Sequence, residues 1–410
     1  MDNKNKLKII FLSINVFGRT IGGIENHIYY LSKALSEKGI EIDIVQPICS
    51  NHKKIEVESV GKVTVHRLYL KIPLFTIFNK IDEFHDDSIF GMVLAYIGKA
   101  KYILCTNKVV NYIKKLNPDV IHQHDYISNI FATKILAKKY ITILTNHTGE
   151  YLFLNKWFFT RKIQEKLIAH FNFIIGPSKQ LTPNRNNSMY IPNGVDTNFF
   201  YPLDEKEIEL KKQKMGYNEK FIILCPRRWA PTKGIIYLAK AIKLLEDKLS
   251  ADVIFLFAGS NYEGYKKYRE KVFKILLGLN VEIKMLGNLD AIALREYYQI
   301  SDLVIIPSLM EATSLSALES ISCGCPVLCT KVGGMPDIIK ENYNGWLAEP
   351  MDEKSLAHKI QESYEVLTNL YQRQRIRKNC REFVISQFSW NKIACETIKI
   401  YKKLSGINKL

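Results

Sequence analysis

The chain has 410 residues, with 58 basic against 41 acidic side chains and a net charge of +17. Its 47% hydrophobic and 24% charged residues exclude a disordered polymer, and the length favours two domains of about 200 residues over a single core. The opening MDNKNKLKIIFLSI lacks the basic-then-apolar run and cleavage site of a secretory signal, and no uncharged stretch approaches the ~20 residues that cross a bilayer, so a cytoplasmic protein is expected.

Taken in chain order, short apolar runs rich in β-branched residues alternate with helical periodicity. The first half has KIIFLSI (8–14), EIDIVQP (41–47), VTVHRL (63–68), DVIHQH (119–124), YITILTNH (140–147) and FNFIIGPS (171–178), with a helix predicted over 24–38 from Ile24, Ile28, Leu31 and Leu35. The second half repeats the scheme with FIILCPR (221–227), VIFLFAGS (253–260), VEIKMLG (281–287), LVIIPS (303–308) and PVLCTK (326–331). Continuous apolar strands separated by helices imply parallel sheets covered on both faces, hence an α/β chain of two doubly wound, Rossmann-like domains. The Pro, Asn-Gly and Asp punctuation of YIPNGVDTNFFYP (190–202) places the boundary, giving domains 1–192 and 193–387 and a final helical piece within 388–410. The charged stretch 203–219 reads as a surface excursion.

The positive charge suits nucleic acid, an anionic membrane face or a phosphorylated substrate. The lysines are spread evenly, with no Arg-rich tract or nucleic-acid motif, so nucleic acid is not an expected partner. Eight scattered cysteines fit reduced thiols in a cytosol. The run Cys323-x-Cys325-x3-Cys329 has no histidine nearby and reads as small buried side chains, and no metal or resident cofactor is expected.

Three loops at predicted strand ends carry chemistry. In NVFGRTIGGIENH (15–27), Gly22 and Gly23 admit a close backbone approach ahead of a helix, although the loop is not a G-x-G-x-x-G fingerprint and a Gly-Gly pair is most often a plain turn. In CPRRWAPTKGI (225–235), two arginines and a lysine at a strand end and helix start suit a diphosphate, against the plain alternative of a solvated basic loop. In PSLMEATSLSALES, a helix beginning near Leu315 or Ser316 presents free N–H groups, with Glu311 in the preceding loop and Glu319 in an early turn. Ser316-x-x-Glu319 also matches a capping box, a structural alternative for that glutamate. Carboxylates accept paired hydroxyls, so cations on a diphosphate and carboxylates on polyols together describe a nucleotide sugar.

The segment Glu311-x7-Glu319 followed by SISCGCPVLCTKVGGMPDII (320–339), with GGIENH, PNGVD (192–196), the R-x4-K-G of Arg228 to Gly234 and FSW (388–390), closely resembles the retaining glycosyltransferases of the GT-B fold called family 4. The resemblance runs in family order over nearly the whole chain. It implies two Rossmann-like domains facing a cleft, with the C-terminal helix crossing back to the first. It implies that Glu319 binds the ribose diol, Glu311 a hydroxyl of the donor sugar, Arg228 and Lys233 the departing diphosphate, and the backbone of Gly22, Gly23, Leu315 and Ser316 the remaining donor atoms. His147 matches a family histidine that contacts the transferred sugar, and His122 and His124 match a position that shapes the acceptor side. Ala312, Thr313 and Ser314 stand where the commonest pattern has Gly-Phe-Gly. The implied reaction keeps the anomeric configuration without a metal. It moves a hexose-type sugar from a UDP- or GDP-linked donor to a glycan or lipid-linked acceptor, in cell-envelope polysaccharide or glycolipid synthesis. The alternatives on this fold are a nucleotide-sugar epimerase and a non-catalytic sugar-binding subunit. Aromatic and basic residues mixed in 70–80, 90–105 and 151–166 suit the surface of an anionic membrane, on the inner face of the cell membrane, or an ordinary core with solvated lysines.

Overall fold

The structure, a computed structural model, describes residues 6–18, 23–73, 75–76, 98–99, 101–147, 151, 158–259 and 265–406. Gly22 and most of 70–105 and 151–157 lie outside the described residues. The chain divides into two compact units, Met1–Gly194 with Trp390–Leu410, and Val195–Ser389.

The first unit is built on an eight-stranded sheet. Its strands are β1 (Lys8–Leu12), β2 (Glu41–Ser50), β3 (Lys54–Val60), β4 (Val63–Lys71), β5 (Val120–Gln123), β6 (Ile141–Thr145), β7 (Phe173–Gly176) and β8 (Ser188–Tyr190), in the order β3-β4-β2-β1-β5-β6-β7-β8. Successive side chains of a strand point to opposite faces. Ile9 and Phe11 of β1 therefore pack with Ile28, Leu31 and Leu35 of the helix Gly23–Glu37 and with Ile393 and Tyr401 of the helix Trp390–Ser405. Ile10 and Leu12 pack on the other face with Val109, Val110 and Ile113 of the helix Thr106–Leu116.

The second unit has a six-stranded sheet of β9 (Phe221–Pro226), β10 (Val253–Ala258), β11 (Glu282–Gly287), β12 (Leu303–Ile306), β13 (Val327–Thr330) and β14 (Gly345–Ala348), ordered β11-β10-β9-β12-β13-β14. All its strand pairs are parallel. β9, β10, β12 and β13 are buried along their whole length, which is why their sequences read as unbroken apolar runs.

The structure departs from the sequence reading at edges and surfaces. β3 pairs antiparallel to β4, and its charged, mostly exposed KIEVESV is the kind of strand that protects a sheet edge. The stretch read as a surface excursion contains the helix Glu205–Lys214, started by a capping box in which Asp204 and Glu207 bond each other's backbone.

Trp390 joins the C-terminal helix to the first unit. Its ring stacks on Tyr30 at 5.8 Å between centroids and meets His27 edge-on at 5.3 Å. A Cβ on Gly194 would lie 2.6 Å from that ring, so only glycine lets the chain pass there. Trp390→Ala is expected to destabilise the unit by about 3–5 kcal/mol in denaturant unfolding, as large aromatic truncations in a core do.

Candidate active site

From β9 the chain of the second unit steps outward through β10 to β11, then returns to place β12 on the other side of β9. The carboxyl ends of β9 and β12 thus form a topological switch point, where the following loops diverge and leave room for a ligand. The acidic and basic residues of the second unit that the sequence singled out lie on those loops or on the helix after β12.

Glu311 follows β12, Arg227 follows β9, and Lys233 ends the short turn Pro231–Lys233. Arg227 Nη2 donates to Glu311 Oε1, and the same oxygen accepts from Lys233 Nζ at 2.7 Å and Ser308 Oγ at 3.0 Å. The Arg227 and Glu311 side chains are 9% and 10% exposed, so a largely dehydrated carboxylate is held between the Arg227 guanidinium and the Lys233 amine. Burial, then the Arg227 and Arg228 charges, pull the Lys233 pKa down to about 6, while its ion pair with Glu311 opposes them. Arg227 is lowered to about 10, chiefly by burial.

Glycines set the distance between these loops. Gly234, at φ 67°, would drive a Cβ to 1.8 Å from the Pro307 carbonyl, and Leu309 N donates to Thr232 O at 2.8 Å beside it. Gly333, at φ 55°, would place a Cβ 1.5 Å from the Glu311 carbonyl, and Gly334 N donates to Ala312 O at 2.7 Å. The VGG turn is therefore packed against the Glu311 peptide itself.

Glu319 sits on the helix Leu315–Ser322, where Tyr298 Oη donates to its Oε2 at 3.2 Å. Burial raises the Glu319 pKa to about 7, against the opposing effects of the Tyr298 hydrogen bond and the Arg227 charge. The capping box read from Ser316 and Glu319 does not form. Ser314 is the N-cap, Ser316 is the helix's second residue, and Glu319 reaches Tyr298 instead. The first N–H groups of this helix, from Leu315 and Ser316, have no carbonyl one turn back within the helix.

Arg228, singled out from sequence, is exposed, whereas its neighbour Arg227 turns inward onto Glu311. Gly23 is the first residue of its helix, is exposed, and has nothing among the described residues within 4 Å of where a Cβ would stand, so none of those residues demands glycine there by packing. Tyr298 carries no local signal in YYQISD, because its partner lies 21 residues away.

In the first unit, His122 and His124 are at the carboxyl end of β5 and His147 follows β6. His122 is fully committed, Nδ1 to Tyr401 Oη at 2.7 Å and Nε2 to Thr145 Oγ1 at 2.6 Å. His124 Nδ1 lies 3.4 Å from His147 Nε2, and His27, from the GGIENH motif, joins them with its ring 4.3 Å from that of His147. Burial lowers the pKa of all four imidazoles, that of His27 to about 4.

Comparison with known proteins places this architecture. Residues 21–199 match the family model described as Glycosyltransferase Family 4, and residues 206–383 match Glycosyl transferases group 1. The chain belongs to the group 1 glycosyltransferases with the GT-B fold. An uncharacterised glycosyltransferase of Methanocaldococcus jannaschii is 25% identical over 97% of this chain and 98% of its own length. A human phosphatidylinositol N-acetylglucosaminyltransferase component is 26% identical over 95% of this chain and 75% of that protein. Among solved structures, sucrose-phosphate synthase from Thermosynechococcus elongatus superposes with a TM-score of 0.74 at 20% identity, covering 98% of this chain and all of that one. An Anabaena protein solved with UDP and glucose superposes at 0.68 and 18% identity, over 98% of this chain and all of its own. Among the described residues, no helix is long and apolar enough to cross a membrane.

The raised Glu319 pKa has a stability consequence. The folded protein holds the proton up to about pH 7 and the unfolded chain releases it near 4.5, so this contribution is present below pH 4.5 and is lost as pH rises to 7. Glu319→Gln, which stays neutral, is expected to be more stable than the parent at pH 8 by about 2 kcal/mol, discounted for the part of the residue that solvent reaches. The gain should vanish by pH 4, as urea unfolding at both pH values will read.

Proposed function

We propose that the chain is a retaining hexosyltransferase that uses a UDP- or GDP-linked sugar and no metal in the transfer step. The observation that carries this reading is the grouping of Arg227, Lys233 and Glu311 at one switch point, with Glu319 on the helix that follows. Cations and free helix N–H groups suit the diphosphate, whose negative charge grows as it departs. The carboxylates suit hydroxyls: Glu319 the ribose diol and Glu311, by its oxygen away from the cations, a hydroxyl of the sugar. Exposed Arg228 and part-buried Lys233 meet the phosphates, and Leu315 and Ser316 offer backbone N–H groups. Gly22 and Gly23 are assigned a backbone contact and His147 a contact with the transferred sugar, both on the family resemblance. Both glutamates of the switch point are assigned to hydroxyls, so the reading is a front-face displacement in which the leaving phosphate takes the acceptor's proton.

In this reading Lys233→Ala and Glu319→Ala each lower transfer at least about a hundredfold while circular dichroism stays unchanged, since one fixed donor on a developing charge contributes ~3–4 kcal/mol. The assay uses the nucleotide sugar that most raises the melting temperature in a panel. Near-normal turnover in both variants would remove the assignment.

The acceptor is proposed to be a lipid-linked or envelope glycan, met at the inner face of the membrane. Support comes from a relative whose name makes phosphatidylinositol its acceptor and from exposed apolar side chains among lysines in the first unit. Ile103 and Leu104 are 48% and 50% exposed, near Lys99 and Lys108 in sequence. Each basic residue at an anionic surface contributes ~1 kcal/mol, so sedimentation with anionic liposomes and not with neutral ones is the expected result. Equal binding to both, or to neither, would sink this part of the reading.

A further inference from the structure

The four clustered histidines of the first unit, His27, His122, His124 and His147, are not equivalent. His122 has both ring nitrogens satisfied by hydroxyls of its own unit. His27, 3% exposed, buries an Nε2 with no hydrogen-bond partner among the described residues. A buried polar atom left unpaired costs free energy, and a fold that satisfies one imidazole completely while orphaning its neighbour keeps that nitrogen for something else.

The hydrogen bonds assign the tautomer of His27. Asn193 Oδ1, 2.8 Å from His27 Nδ1, can only accept, so Nδ1 carries the proton and Nε2 keeps its lone pair. This is the arrangement in which an outer amide or carboxylate orients an imidazole toward a metal ion. One ring nitrogen from each of His27, His124 and His147 lies within 4.8 Å of the other two. His124 Nδ1 and His147 Nε2 are 3.4 Å apart, too long and too bare for a strong hydrogen bond. That spacing is the edge of a tetrahedron whose corners lie ~2.0–2.1 Å from a central zinc ion.

We propose that His27, His124 and His147 form a binding site for one divalent transition-metal ion with imidazole preference, such as Zn2+, with water completing a tetrahedron. Three neutral imidazoles and no carboxylate make a donor set that favours zinc, copper, nickel or cobalt over magnesium or calcium. The remaining adjustment is a ring rotation that brings His27 in from the outer separation. The ion takes no part in the transfer step. It would occupy His147, so bound zinc and a sugar contact at that residue exclude one another.

The test is direct binding of Co2+ and Zn2+ to the full chain after treatment with a chelator. Expected are one Co2+ per chain with the intense visible absorption of a tetrahedral site, its displacement by one Zn2+, and at least a tenfold loss of affinity in His27→Gln and in His124→Gln. A His122→Gln variant checks for non-specific loss and should bind as the parent does if it folds. Mg2+ should not compete. The proposal is overturned if cobalt binds only with the weak absorption of an octahedral, water-rich site. It is equally overturned if the parent binds no ion or if both histidine variants, folded by circular dichroism, bind as tightly as the parent. Zinc that displaces the tetrahedral cobalt yet leaves transfer unslowed would discard the His147 sugar contact and leave the ion site standing.

Discussion

Backbone contact between loops governs the second unit. Gly234 lies against the Pro307 carbonyl and Gly333 against the Glu311 carbonyl, each at a separation that a single methyl group would abolish and each with a positive φ. The loops after β9, β12 and β13 are thereby clamped together without any side chain between them. That clamp allows Arg227 and Lys233 to reach one oxygen of Glu311 from two directions. A carboxylate buried in this way is tolerable only while its hydrogen-bonding partners are present, because its desolvation has already been incurred. The arrangement is preorganised: charges that a ligand would otherwise have to gather are in place before it arrives.

Much of this architecture can be read from the amino-acid sequence for a definite reason. Strands buried on both faces must be apolar at every position, so β9, β10, β12 and β13 announce themselves without any partner being known. β3 does not, because an edge strand carries charge. The Asp204–Glu207 box lies within a stretch whose charge suggests surface loop, whereas the similar Ser316–Glu319 spacing is not used as a cap. The pattern is common to both, and the difference is that Glu319 has Tyr298 to bind and is drawn away from the helix start.

The site itself is half legible. Residue types and their place at strand ends point to Lys233, Glu311 and Glu319, since chemistry at a switch point needs charge there. The choice between Arg227 and Arg228 is out of reach, because two adjacent residues leave a strand end in opposite directions and the turn decides which goes inward. Tyr298 and Asn193 are invisible for a different reason. Each acts through a partner distant in the chain, 21 residues away for one and 166 for the other, and no local spacing encodes that. The histidine group has the same character, drawing its members from a helix and the ends of two strands.

The path of the chain has a consequence for how the molecule is made. The first unit is interrupted after Gly194 and resumes at Trp390, whose helix supplies Ile393, Ala394 and Tyr401 to the face of the sheet that contains β1. Synthesis runs from the N-terminus, so the segment translated first must wait for the helix Trp390–Ser405 before its core is complete. Until then the apolar cluster around Phe11 and Ile28 lacks Ile393, Ala394 and Tyr401, and a nascent chain stalled before Trp390 would present that gap to chaperones and proteases.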